Sequence, residues 1–239
     1  MMQNGGRMIG PTVAGILLAH TSEAFCFLLN SVSKVAGIAA LLKVRVNVRD
    51  IAPRKGNIWN GLLEGALYGW SLRPIRWLLG TVALVSFTVT PYQALAPIYA
   101  AEVFHGDART LGYLMGSAGI GAVFGLVYLA SRRGIRGLTR LTAIGISTAA
   151  ASIMIFSYSR SLPLSLFMMA GVGFGIITTA MTTSTIIQTV VEDRMRGRLM
   201  SFFTMAFLGV VPLGSFVAGS VAESFGPAPT LFAGGAVCA

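Results

Sequence analysis

The chain is poor in the residues that soluble domains and active sites are built from. Of its 239 residues only 11% are charged, eight are acidic, two are cysteine and two are histidine. Cys26 and Cys238 both lie in or beside apolar stretches, and two such residues supply neither a disulfide framework nor metal-ligand spacing, so they read as packing. His20 and His105 both fall in loops between apolar runs. Neither is placed to activate Ser117, the glycine-flanked serine of Gly116-Ser117-Ala118-Gly119. No His-Glu-x-x-His pair, P-loop or dinucleotide glycine fingerprint follows a suitable strand, so the chain is not expected to be an enzyme or to hold a metal or cofactor. No carboxylate lies deep in a complete apolar run, Glu102 at the end of one being the nearest case, and no proton relay is visible. A charged opening followed by a short apolar core and cleavage site is also missing, so no removable signal peptide is expected.

What the chain has is apolar length. Apolar residues make up 54% of it and the mean hydropathy is +0.74, well outside the usual range for a soluble domain. A membrane span needs about 20 apolar residues at 1.5 Å rise. Six runs meet that requirement, near 24–43, 77–100, 110–131, 138–158, 162–190 and 199–222. Two shorter stretches, 8–19 and 228–239, read as partial spans. The runs are continuously apolar and do not alternate as barrel strands do. The predicted fold is therefore all-α, a polytopic transmembrane helical bundle.

Charge sets the orientation. Fourteen of the eighteen Lys and Arg residues cluster at 43–76, 132–140 and 194–198, whereas the loops between those clusters hold only Arg109 and Arg160. By the positive-inside rule the basic loops are cytoplasmic, which predicts a multi-pass protein of the bacterial plasma membrane. A net charge of +10 and a pI near 10.5 would suggest nucleic acid in a soluble protein. Here the excess sits in short loops facing anionic headgroups, so the expected partners are membrane lipids and not nucleic acid. Within the basic segment before residue 77, Trp59, Leu62, Leu63, Ala66, Leu67 and Trp70 recur at helical spacing. They predict an amphipathic helix on the cytoplasmic face, against the alternative of an irregular linker, and Pro74 is placed to start the next span.

The spans carry interruptions and polar residues. Pro91 and Pro97 break one span beside Thr88, Thr90, Tyr92 and Gln93, and Pro212 sits inside another between Gly209 and Gly214. Broken helices with nearby polar groups often line substrate cavities. Thr178, Thr182, Thr185 and Thr189 lie on one helix face with Gln188 alongside. Two readings stay open for that stripe: hydroxyls bonded to carbonyls one turn back between packed helices, or the wall of a pathway. Lys34 is the one charged side chain near the centre of a complete run, at an insertion cost of about 2.5 to 3.5 kcal/mol. It reads as a cavity residue, as a side chain that snorkels or packs with Asn30 or Ser33, or as a position that has drifted. Gly112 with Gly116 and Gly121 with Gly125 have the small-xxx-small spacing of close helix crossings, and Gly171, Gly173 and Gly175 cluster in another span.

Several ordered segments resemble one family. Gly10-Pro11-Thr12-Val13-Ala14-Gly15, followed by Phe27-Leu28-Leu29-Asn30-Ser31, resembles spans five and six of the major facilitator superfamily, in the branch of bacterial drug effluxers and enterobactin exporters. Glu64-Gly65-Ala66-Leu67-Tyr68-Gly69-Trp70, continuing to Arg73-Pro74-Ile75-Arg76, resembles that branch's approach to span seven. Arg196-Gly197-Arg198-Leu199-Met200-Ser201, with Pro212-Leu213-Gly214-Ser215 and Ala218-Gly219, resembles its loop and span eleven, and Ser131-Arg132-Arg133-Gly134 is a degraded form of the superfamily's cytoplasmic span-linking motif.

The resemblance implies a twelve-span carrier of two six-span halves that exports drug-like or siderophore-like molecules by alternating access in exchange for protons. This chain corresponds to spans five to twelve. Residues 1–43 would close the N-terminal half, 44–76 would form the cytoplasmic linker, and 77–239 the C-terminal half. On this reading Tyr92, Gln93, Thr178, Thr182, Thr185, Gln188 and Lys34 are the candidates for lining a cavity for a small amphiphilic substrate. Gly10, Pro11, Pro91, Pro97, Gly209, Pro212 and Gly214 are the candidate helix breaks and gates, with Arg132, Arg133, Arg196 and Arg198 as cytoplasmic contacts. The competing reading is a truncated, non-transporting fragment or scaffold that packs with a partner chain supplying the missing spans.

Overall fold

A computed structural model describes residues 23–43, 58–132, 134 and 137–239. Gly10, Pro11, Arg133 and the stretch 8–19 lie outside the described residues. The described chain is helical throughout: α1 (Glu23–Lys43), α2 (Ile58–Ser71), α3 (Arg73–Thr88), α4 (Tyr92–Ile98), a π-helical turn (Tyr99–Val103), α5 (Ala108–Ser131), α6 (Leu138–Tyr158) and α7 (Leu162–Val190). It continues through α8 (Asp193–Thr204), a second π-helical turn (Met205–Gly209), α9 (Val211–Phe225) and α10 (Pro227–Cys238). Among the described residues there is no strand, and five stretches are long and apolar enough to cross a membrane: Arg73–Val103, Ala108–Ser131, Leu138–Tyr158, Leu162–Val190 and Asp193–Phe225.

Two of these begin earlier than the apolar runs suggest, at Arg73 in place of 77 and at Asp193 in place of 199. Each extension carries arginines, whose long apolar stems let a helix continue into the interface while the charge stays wet. The run 24–43 differs more. It forms α1, but the apolar part that can be described is the shorter Ser31–Ala40, and every side chain in that stretch is exposed.

Among the spans α7 is central, packed on one side by α5 and on the other by α6. In lipid, helices associate through close contact and not through exclusion of water, so backbones must approach one another. Gly173 faces the Ala118 carbonyl and Gly121 faces the Ala170 carbonyl, each so closely that a Cβ would overlap the oxygen. α10 packs on the far side of α6, with Gly235 against Ile153 and Met154. Tyr99, Leu114, Ala150, Ile153, Phe156 and Met169 are fully buried at the heart of this assembly, where the Tyr99 hydroxyl donates to the Ser157 carbonyl at 2.9 Å. A second core, of Ile75, Val82, Ala180, Ile187, Leu199 and Phe203, ties α3 and α7 to α8 at the end of the bundle that carries the basic loops.

Within the basic segment before residue 77, the described residues Ile58–Ser71 form the helix α2. Its Gly65 and Gly69 lie against Arg198, Phe202 and Leu199 of α8, while Leu63, Leu67 and Trp70 on the other face are exposed. Pro74 sits in the first turn of α3, where its missing N–H would have had no partner.

Candidate functional site

Prolines stand where two of the helices break. Pro91 has no N–H to donate, and just before it the chain leaves the helix: the amides of Val89 and Thr90 both bond to the Val85 carbonyl, at 2.9 and 3.1 Å, before α4 starts at Tyr92. Pro97 lies inside α4 and removes a donor from the turn that begins at Gln93, with the first π-helical turn following at Tyr99. Opposite, the π-helical turn Met205–Gly209 precedes Pro212 at the start of α9. There the Ser86 hydroxyl of α3 donates to the Phe207 carbonyl at 3.0 Å, so one broken helix satisfies the backbone of the other. Gly214 and Gly234 press on the carbonyls of Phe87 and Thr88, leaving no room for a Cβ at either position. The break in α3–α4 is thus clasped by glycines of α9 and α10.

Between the two breaks lies a cavity of about 450 Å³. Thr90, Tyr92 and Gln93 form one wall, Phe207, Leu208, Val211 and Pro212 the other, and Met115, Ala118, Gly119 and Ala122 of α5 with Gly173, Ile176 and Ile177 of α7 close the rest. Its volume falls within the range of roughly 300 to 1,000 Å³ that holds drug-sized ligands. Among the described residues, polar side chains occur on a single wall, and no carboxylate, lysine, arginine or histidine lines the cavity. Such a surface can bind an apolar body by dispersion and orient it through one or two hydrogen bonds. It offers no charged clamp.

Of the residues expected at a cavity, Tyr92 and Gln93 line it, joined by Pro212 from the expected breaks. Pro91, Pro97 and Gly209 lie in or beside the breaks themselves, and Gly214 holds one of them. The threonine stripe is elsewhere. Thr182 is fully buried between α6 and α7, its Oγ1 2.8 Å from that of Thr142 and also donating to the Thr178 carbonyl at 2.7 Å. Thr178 is buried at the crossing with Gly125, and Thr185 bonds back to the Met181 carbonyl at 2.8 Å. Gln188 is exposed, donates to Ser184 Oγ at 2.8 Å, and lies eleven residues beyond Ile177. At 1.5 Å per residue that is about 16 Å along the helix from the cavity. Of the two readings of the stripe, the structure has Thr178 and Thr182 between packed helices. Lys34 is exposed on α1 and is not among the cavity residues.

The apolar lining residues Met115, Ile176, Ile177, Phe207 and Leu208 carried no individual signal in the sequence. Only their nearness to Pro212, or their place on the glycine-rich spans, could have pointed to them.

At the basic end Arg198 and Arg194 both pair with Glu64 of α2, at 2.5 and 2.8 Å, and Arg196 pairs with Asp193 one turn back at 2.5 Å. The hydrogen bond from Arg198, reinforced by the charges of both arginines, holds the Glu64 carboxyl below the usual carboxylate range. Arg132 is exposed, its guanidinium 5.6 Å from the centre of the Tyr128 ring.

Comparison with known proteins agrees with this architecture. The chain is similar to the multidrug efflux pump Tap of Mycolicibacterium fortuitum, 26% identical over 96% of this chain and 57% of that protein. It resembles to the same degree the pumps of that name from Mycobacterium bovis (strain BCG / Pasteur 1173P2) and Mycobacterium tuberculosis (strain ATCC 25618 / H37Rv), over 95% of this chain and 54% of each. The chain therefore spans little more than half the length of these curated relatives. Over residues 1–239 it matches the transmembrane secretion effector family, and with its ordered apolar helices it is a multi-pass member of that family within the major facilitator superfamily.

Proposed function

We propose that the chain forms the cavity-bearing part of an efflux transporter of the plasma membrane, which carries small amphiphilic molecules outward by alternating access. The observation behind this is that two helices, each broken by proline and each bordered by a π-helical turn, face one another across a single cavity. A break gives each helix a point at which its two segments can change angle without disturbing the packed helices around α7. Tyr92 and Gln93 orient the cargo, while Met115, Ile176, Ile177, Phe207 and Leu208 hold its apolar body. The described wall residues include no cation, which favours neutral or cationic drug-like molecules over anionic chelators. That preference agrees with the multidrug character named for the relatives. Export is driven by protons in this proposal, and coupling falls to carboxylates outside the cavity, since none is among its described lining residues.

The test is accumulation of ethidium, a fluorescent lipophilic cation, in cells that express the protein. Wild type should lower accumulation, Gln93→Leu should weaken that effect for some substrates more than others, and Leu208→Trp should fill the cavity and abolish export at unchanged membrane abundance. Export by Leu208→Trp at the wild-type rate would place the pathway elsewhere.

A further inference from the structure

The turn between α2 and α3 gathers two arginines and two tryptophans at the basic end of the bundle. Trp70, in the last turn of α2, is 69% exposed, and Trp77, in the first turns of α3, is 70% exposed. The Arg76 guanidinium lies over both rings, 5.3 Å from the centre of the Trp70 ring and 5.8 Å from that of Trp77. Arg73 is exposed three residues earlier on the same helix, which makes the two arginines neighbours on its surface. Neither forms an ion pair among the described residues: the first turn of α3 holds no acid, and Glu64 of α2 faces α8, where Arg194 and Arg198 occupy it.

We propose that Trp70, Arg73, Arg76 and Trp77 form a headgroup site for an anionic phospholipid of the adjoining leaflet. Stacking on aromatic faces fixes the plane of a guanidinium while leaving its N–H edge open, and that edge matches two oxygens of a phosphodiester. Tryptophan belongs at headgroup depth, so the rings set the level of the arginines. The exposed Leu63 and Leu67 continue the apolar surface along α2, where acyl chains would lie. Two cations with no ion pair among the described residues favour a lipid with net negative charge over phosphatidylcholine, whose choline they repel. This inference rests on the membrane embedding of the chain and is independent of whether it exports anything.

The probe is the full protein in lipid nanodiscs, with Trp59→Phe so that fluorescence reports Trp70 and Trp77. Brominated phosphatidylglycerol should quench these residues more efficiently than brominated phosphatidylcholine at equal mole fraction. The double substitution Arg73→Gln, Arg76→Gln should cut the preference by about five-fold for each charge removed, the factor expected for a basic residue near an anionic surface. Arg140→Gln, on the same side of the bundle but outside the cluster, should leave it intact. Equal quenching by the two lipids, or a preference that survives the double substitution, would overturn the site. So would loss of the preference when inorganic phosphate replaces chloride at matched ionic strength, since the site would then bind free phosphate and not a lipid.

Discussion

Around α7 three unbroken helices are locked by glycines set against carbonyls and by a buried threonine pair, whereas α3–α4 and the α8–α9 span are each interrupted and meet across a cavity. Half of the apolar stretch of α7 is buried, as is half of that of Arg73–Val103, against 6% for the span that runs from Asp193 to Phe225. Small residues serve both regions, but to different ends. In the first they bring two continuous backbones together along their length. In the second Gly214 and Gly234 grip a backbone at the point where its own hydrogen bonding has lapsed, so the contact constrains a joint.

The largest effect should come from disturbing the locked region. In Gly173→Ala the new Cβ meets the Ala118 backbone carbonyl, which cannot move aside as a flexible side chain would, so α5 and α7 must separate. Overpacking of this kind costs about 1 to 3 kcal/mol. Thermal unfolding in detergent should show a clear drop in midpoint, while Gly219→Ala, where a Cβ meets nothing within 4 Å, should leave it unchanged. Equal midpoints for the two variants would remove the distinction between the regions.

Pro212→Ala tests the broken region in the opposite sense. Restoring a backbone donor where the π-helical turn meets α9 should keep or raise stability, since a helix without proline is the better hydrogen-bonded one. It should slow export severalfold by stiffening the joint, read as ethidium efflux from preloaded cells. A variant less stable than wild type but equally active would show that Pro212 serves packing and not motion.

A smaller effect is expected at Thr182. Valine has nearly the same shape, so Thr182→Val removes the bond to Thr142 without opening a cavity, and leaves the Thr142 hydroxyl to donate to the Leu138 carbonyl at 3.0 Å. Hydrogen bonds between membrane helices average about 0.6 kcal/mol, so the midpoint should fall slightly and export should not change. A large export defect at wild-type stability would return the stripe to the pathway.

These outcomes bear on what could be read from the sequence. Apolar length and basic clusters were enough for an all-α membrane bundle, because span length and loop charge follow directly from the bilayer. Pro91 and Pro212 were legible as breaks because each stands within a long apolar run, and a residue without an N–H interrupts the hydrogen bonding of a helix interior. Thr182 was legible as part of a face but not as the partner of Thr142, since periodicity orients a side chain about its own helix axis and says nothing of the neighbour. Ile177 and Phe207 were invisible for a related reason: in a chain this apolar, a residue facing a cavity looks like one facing lipid. The pairing of Glu64 with Arg198 joins segments far apart in sequence, and no local pattern announces it.

That pairing supports the smallest and most conditional effect. Glu64 joins α2 to α8, the helix that leads into the second break, so it couples α2 to the interrupted span. Its folded-state pKa is depressed, first by the hydrogen bond from Arg198. The ionised pair therefore contributes above the unfolded carboxylate value of about 4.3 and is lost as pH falls through the lower folded one. Glu64 is 46% exposed, although Arg198 is only 20% exposed, which keeps the contribution modest and sensitive to salt. Unfolding midpoints of wild type and Glu64→Gln should run parallel from pH 7 to about 5 with wild type slightly higher, then converge in stronger acid as the carboxyl takes up its proton. Curves that stay parallel throughout would mean that Gly65 and Gly69 hold α2 against α8 by packing alone. The surface helix would then follow α8 through close contact, with no help from charge.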